Sequence, residues 1–268
     1  MTKKTRGVGL ILYGDPGIGK TGLALQFPKP ARIISCNETG AQDLIDAGEV
    51  EEDMVDDVEA NHWKDLLDLV KSSTDVSTLI IDSLSGVAQF MQADILYKVY
   101  NNQTDAFGSF SQGWRIEGIV WAEELEERLT YLRSKGVNII LIGHKRMEVS
   151  KNVVAEDYKS AHLDMEKWPR GVFTKWAQAV LFMTMDFETR ATKLWKGKVT
   201  ESKVKEGLDE VVDRVIYTQN HPSHDAKNRL SLPPVIDMGR SAAEAYNNLV
   251  TQFPTKIKST LIKEESNG

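Results

Sequence analysis

The chain has 268 residues, 41% of them hydrophobic and 27% charged, which suits one large α/β domain with a full core or two small ones. A net charge of −6 argues against a surface coated in cations for duplex DNA, and no apolar run nears the roughly 20 residues of a membrane helix. The single cysteine, Cys36, excludes an internal disulfide and a cysteine-based zinc site. The first residues are basic but run straight into a strand-like segment without a signal-peptide pattern, so the cytoplasm is the expected compartment.

Residues 8–13 form a short apolar run ending at a glycine and read as a buried strand. Residues 19–27 read as a helix closed by Pro28 and Pro30, residues 31–36 as a second strand, and residues 41–47 as a short helix stopped by Gly48. The acidic run 49–59 reads as a solvated loop and helix end. Trp63, Leu66, Leu67 and Val70 have helical spacing. A third strand is expected at 78–81, a helix at 84–99, and a polar loop over 100–113. An amphipathic helix over 116–134, with its glutamates outward, leads to a fourth strand at 137–142.

Residues 145–176 lack clear periodicity and are expected to form a long, partly helical excursion. Two later strands are expected at 179–185 and 211–218, separated by a polar, basic stretch. The core is expected to end after Pro234, followed by a helix at 241–253 and a mobile tail. Alternating strands and helices predict an α/β fold with a doubly wound, mostly parallel sheet and later edge strands. The expected division is a core at 1–240 and a C-terminal helix and tail at 241–268.

Between the first strand and helix lies Gly14-Asp15-Pro16-Gly17-Ile18-Gly19-Lys20-Thr21, which fits G-x-x-x-x-G-K-[ST] without a mismatch. Glycines let the backbone curl so that N–H groups point at phosphate oxygens, and the helix start adds its dipole. With Gly22, these residues are the expected ATP-binding set. Lys20 can reach the β- and γ-phosphates, and the Thr21 hydroxyl can ligate Mg²⁺. Some sixty residues on, the strand Thr78-Leu79-Ile80-Ile81 ends in Asp82-Ser83. That suits a Walker B element, with Asp82 holding Mg²⁺ through water. A dinucleotide-binding fold is the competing phosphate binder.

These features resemble the RecA/RadA superfamily of P-loop ATPases, and among them the phage ATPases that keep only the RecA-type core and act in single-strand annealing or recombination. The resemblance spans roughly residues 7–236 and rests on the P-loop, on Asp82-Ser83, and on two further segments. One is Ile33-Ile34-Ser35-Cys36-Asn37-Glu38, where the resemblance implies that Glu38 activates the attacking water. The other is Lys227-Asn228-Arg229, similar to a Lys-Asn-Arg motif whose cations reach a neighbouring subunit's γ-phosphate. The alternative there is a pair of solvated cations. His144, closing Ile139-Ile140-Leu141-Ile142-Gly143, stands where relatives often carry a Gln or Asn sensor. It could bond the γ-phosphate or the attacking water.

By the same resemblance, single strands are bound by two loops, expected at 100–115 and 145–175. The first carries Phe107, Phe110, Trp114 and Arg115. The second carries Lys145, Arg146, Lys151, Lys159, Lys167, Trp168, Arg170 and Lys175. The alternative is that the aromatics pack on their own domain. The implied partners are single-stranded DNA, further copies of the chain in a ring or filament, and a single-strand-binding protein, in a host cytoplasm if the gene is a phage's. Rival readings are a hexameric helicase motor in replication, an ATP-switched assembly protein without a DNA role, and a small-molecule kinase. His221 and His224 make a poor metal pair, since a proline-containing turn offers no partner ligands.

Overall fold

A computed structural model describes residues 6–50, 55–150, 158–186, 189–195, 198–204 and 213–261. Five parallel strands make the centre: β1 (Gly9–Gly14), β2 (Ala31–Ser35), β3 (Val55–Glu59), β4 (Thr78–Asp82) and the long β5 (Asn138–Ser150). β6 (Tyr158–Leu163) folds back antiparallel on the outer half of β5. β7 (Ala179–Met185) lies parallel to β1. β8 (Thr189–Trp195) and β9 (Lys198–Val204) form a separate antiparallel hairpin. β10 (Arg214–Tyr217), β11 (Lys227–Asn228) and β12 (Val235–Asp237) then close one side of the sheet, all by antiparallel pairing. The order across it is β12-β10-β7-β1-β5-β4-β2-β3.

β1, β4 and the inner half of β5 are largely apolar because both faces are covered. Leu10 and Leu12 of β1, Ile80 of β4 and Ile140 and Ile142 of β5 face one layer. That layer holds α1 (Lys20–Ala24), α9 (Ala242–Thr251) and α10 (Thr255–Leu261), seated through Leu23, Leu249 and Leu261. Ile11, Tyr13, Leu79, Ile81, Ile139 and Leu141 face the opposite layer. There lie α3 (Trp63–Ser72), α4 (Leu84–Tyr100), α6 (Gln112–Val120), α7 (Glu127–Ser134) and α8 (Lys167–Trp176). The short helices α2 (Gly40–Asp46) and α5 (Thr104–Gly108) complete the described set. The doubly wound, mostly parallel α/β sheet expected from the alternation of elements is the observed architecture.

Several local expectations differ from the structure. The acidic run contains the edge strand β3, whose charges sit on an edge where water can reach them. The loop expected over 100–113 is largely α5 and the start of α6. Its Phe107 is buried against Tyr100 and Trp114, because three rings packed edge to face bury more apolar surface than a solvated loop. The excursion expected over 145–176 is the outer half of β5, then β6 and α8; residues 151–157, Lys151 among them, lie outside the described residues. The polar stretch after β7 pairs as β8 and β9. The sheet continues past Pro234 into β12, and the tail expected from Pro254 begins with α10, whose Leu261 is buried.

The helix expected over 116–134 starts at Gln112 and passes through a π-helical stretch, Trp121–Glu126, between α6 and α7. Its glutamates are not all outward. Glu117 is fully buried, with Gln92 Nε2 donating to Oε2 at 3.4 Å and no partner recorded for Oε1 among the described residues. Burial pushes its carboxyl up to about 8 from 4.5, against the smaller opposing effect of the Gln92 hydrogen bond. Between those values the unfolded chain gives up a proton that the folded chain keeps, so stability falls as pH rises until the folded carboxyl also ionises. Glu117→Gln is expected to stabilise the fold by roughly 3 kcal/mol at neutral pH and to flatten the loss of stability between about pH 5 and 8. Urea unfolding of both proteins across that range measures it; parallel curves would show that Glu117 does not titrate in this way.

Candidate nucleotide site

Parallel strands end together at one edge of the sheet, and the chain brings its polar residues to that edge. The register sets Gly14 of β1 beside His144 of β5, and Asp82 of β4 beside Ser35 of β2. Between β1 and α1 the loop turns through Gly17 (φ 71°) and Gly19 (φ 101°), both in the left-handed region where a Cβ is disfavoured. Lys20 is buried and its Nζ donates to the Asp15 carbonyl at 2.8 Å. Burial lowers its pKa, while the carboxylates of Asp82, Glu38 and Asp15 act to raise it.

Thr21 Oγ1 donates to Asp82 Oδ2 at 2.7 Å, joining the start of α1 to the end of β4. Asp82 is 4% exposed, and burial raises its pKa against the pull of the Thr21 hydroxyl. A hydroxyl and a carboxylate side by side are hard oxygen donors, a pair that fits Mg²⁺. Asn37, in a left-handed conformation at φ 57°, turns the chain after β2 so that Glu38 reaches the same edge. Glu38 Oε1 lies 2.8 Å from His144 Nε2 and accepts from Ser83 Oγ at 3.0 Å. The expected water-activating carboxylate and the expected sensor are therefore direct partners, and Ser83 is a third member.

Lys20, Thr21, Glu38, Asp82 and His144 line a cavity of about 810 Å³ with Pro16, Gly22 and Gly40. Arg214 of β10, Met238, Arg240 and Ala242 line it too. Sequence reasoning missed both arginines, because each stands alone in the chain without a motif. Arg214 reaches the site because β10 pairs beyond β7; a Cβ on Gly19 would sit 3.2 Å from its guanidinium. Arg214 Nη2 also donates to the Gly239 carbonyl at 2.9 Å, which fixes the fork over the loop. Asp15 has a further role. Its carboxylate pairs with Lys145 of β5 and accepts from Thr184 Oγ1 at 3.0 Å, so the phosphate loop is tied to two neighbouring strands.

Lys227 and Arg229 do not line this cavity; they line a separate one of about 520 Å³. Lys227 pairs with Val180 across β11 and β7, whereas Gly14 pairs with Met183, on the order of 10 Å further along the strand. Lys227 Nζ donates to the carbonyls of Thr174 (2.6 Å), Lys175 (2.7 Å) and Ala177 (2.7 Å), capping the end of α8. Burial, then the charge of Arg229, pushes its pKa down to about 8. Arg229 is exposed. Of the expected strand-binding groups, Trp114 packs against the core, and Arg115 lies over Trp168 at 5.6 Å. Arg146 and Arg170 both bond Glu148, which their charges and hydrogen bonds hold at about 2. Phe110 stands almost fully exposed.

The sequence profile of a family described as an AAA domain (AAA_24) matches residues 6–230. No curated protein matches the sequence. Among solved structures, the crystal structure of the flagellar accessory protein FlaH from Methanocaldococcus jannaschii aligns over 87% of this chain and 85% of that one, with 9% identity and a TM-score of 0.45.

Lys20→Ala is expected to abolish nucleotide binding without loss of fold, since it removes one cation from a preformed cavity. Arg214→Ala is expected to weaken binding by roughly tenfold or more, the worth of a charge-assisted hydrogen bond. Titration with a fluorescent ATP analogue, beside circular dichroism, measures both. Native affinity in Arg214→Ala would exclude this side chain as a phosphate contact.

Proposed function

The chain belongs to this AAA-domain family, and on that footing we propose that it is a Mg²⁺-dependent ATPase that binds single-stranded DNA, in phage strand annealing or recombination. The observation that carries the ATPase is the Glu38–His144–Ser83 cluster at the same cavity as Thr21 and Asp82. Lys20 and the loop N–H groups hold the phosphates. Thr21 and Asp82 would hold Mg²⁺, which would supply charge neutralisation. Glu38 orients a water for in-line attack and accepts its proton. His144 and Ser83 fix the carboxylate until it takes up that water.

Support for coupling to a bound strand comes from β5. The strand carrying His144 runs without a break into the β5–β6 hairpin, where Met147, Val149 and Tyr158 are exposed beside Lys159. A change at Glu38 is thereby mechanically close to a projecting surface. The same exposed apolar side chains, with Arg146 and Arg170 already held by Glu148, favour the second reading, an ATP-switched assembly protein. Stimulation of ATP turnover by single-stranded DNA separates the two. On the DNA reading, Lys159→Ala reduces the magnitude of the logarithmic salt slope by about 0.7. An unchanged slope would remove this hairpin from the strand-binding surface.

Glu38→Gln is expected to keep nucleotide affinity and to lose roughly 10²–10⁴-fold in turnover, the usual worth of a general base. Phosphate release measures it, and native turnover would end the assignment. For assembly, Arg229 is the cleaner probe, because Lys227 also caps α8. Arg229→Ala alone is expected to turn over ATP about 10³-fold more slowly while still binding it. Mixed with Lys20→Ala protein it regains activity, because each partner supplies what the other lacks. A mixture no better than its parts, despite co-assembly, would place Arg229 outside a neighbour's site.

A further inference from the structure

His221 Nδ1 and His224 Nδ1 both lie within hydrogen-bond distance of Ser223 Oγ. The turn holding them closes by reciprocal hydrogen bonds between His221 and His224, and Asp225 N–H donates to the Ala161 carbonyl beside it. This stacks the two imidazoles 5.6 Å apart at 29°. The stack continues inward. His224 lies 4.7 Å from the Tyr217 ring and 5.0 Å from the Phe182 ring, tilted by 36° and 24°. Burial lowers the His224 pKa, so its ring is a neutral aromatic plate at physiological pH.

These plates line a cavity of about 560 Å³, within the size range of small-ligand sites and sharing no lining residue with the nucleotide cavity. Three kinds of group meet there. Tyr217 and His221, whose rings each lie against His224, supply aromatic side chains at a half-buried and an exposed position. Gln219 and Asn220, both exposed, supply side-chain amides that carry a donor and an acceptor each. Lys145 and Thr184 line the inner side, and both contact Asp15 of the phosphate loop. Flat π-faces beside amides match a planar heterocycle with hydrogen-bonding edges rather than an aliphatic chain.

We propose that this slot binds a nucleobase, as a second site separate from the phosphate loop and joined to it through Asp15. The base comes from a single strand or from a free nucleotide; only the first source rests on the DNA reading above. A base stacked there lies against the two side chains that hold Asp15, so its occupancy bears on the loop that cradles the phosphates.

The test uses full-length protein carrying Lys20→Ala, which silences the phosphate loop, and two probes whose emission falls on stacking. One is 2-aminopurine riboside monophosphate; the other is an oligothymidylate with a single 2-aminopurine. Quenching is expected with at least one probe. In Tyr217→Leu and in His221→Ala the affinity of that probe is expected to fall about 5- to 100-fold, the worth of one stacked base. His221 is exposed and Tyr217→Leu keeps apolar bulk, and circular dichroism checks both folds. Quenching by the oligomer alone, lost in the variants, supports the polymer source. Quenching by the monophosphate alone, lost in the variants, supports the slot while the DNA reading fails. Oligomer binding that neither variant alters overturns the slot and leaves the DNA reading standing. No binding of either probe overturns both.

Discussion

The position of β5 between β1 and β4 is the constraint on which the site depends. The phosphate loop leaves β1 and the Walker B carboxylate leaves β4, so the intervening strand spaces the two apart. The Thr21–Asp82 hydrogen bond spans that gap at 2.7 Å. β5 itself delivers His144 to the same edge, and the turn at Asn37 after β2 brings Glu38 to it. With β1 and β4 adjacent, His144 would have no route to this edge. The parallel arrangement is stable because both faces are buried, and it leaves the carboxyl ends of the strands as the place where polar groups gather.

Polar contacts at this edge run in two directions. Glu38 is held by His144 and Ser83 and lines the same cavity as Thr21 and Asp82. Asp15 is held by Lys145 and Thr184, facing away toward the aromatic slot. His144 and Lys145 are consecutive residues on one strand, so their side chains alternate between the two sets of contacts.

Charge is distributed in a way that the net value of −6 does not convey. Much of the basic content of the segment after His144 is internal. Arg146 and Arg170 converge on Glu148, and Lys227 is spent on the carbonyl end of α8. Such groups organise the fold around the hairpin. The cations in the nucleotide cavity are instead Lys20, Arg214 and Arg240.

The meeting of the Gly14–Thr21 loop, Asp82, Glu38 and His144 at one edge of the sheet was legible in the sequence, because each follows an apolar strand. The fold class was legible for a related reason: buried parallel strands write continuous apolar segments. Edge strand β3 was hidden, since its exposed charges read as a loop, and so was the packing of Phe107 and Trp114, since an aromatic residue near polar ones has no local sign of which surface it meets. Arg214, the capping role of Lys227 and the ring stack of Phe182, Tyr217 and His224 depend on pairings between segments distant in the chain. Sequence determines a residue's chemistry and its immediate backbone. Which distant residue shares its cavity is decided by the order of strands in the sheet, and that order is fixed only when both faces are packed.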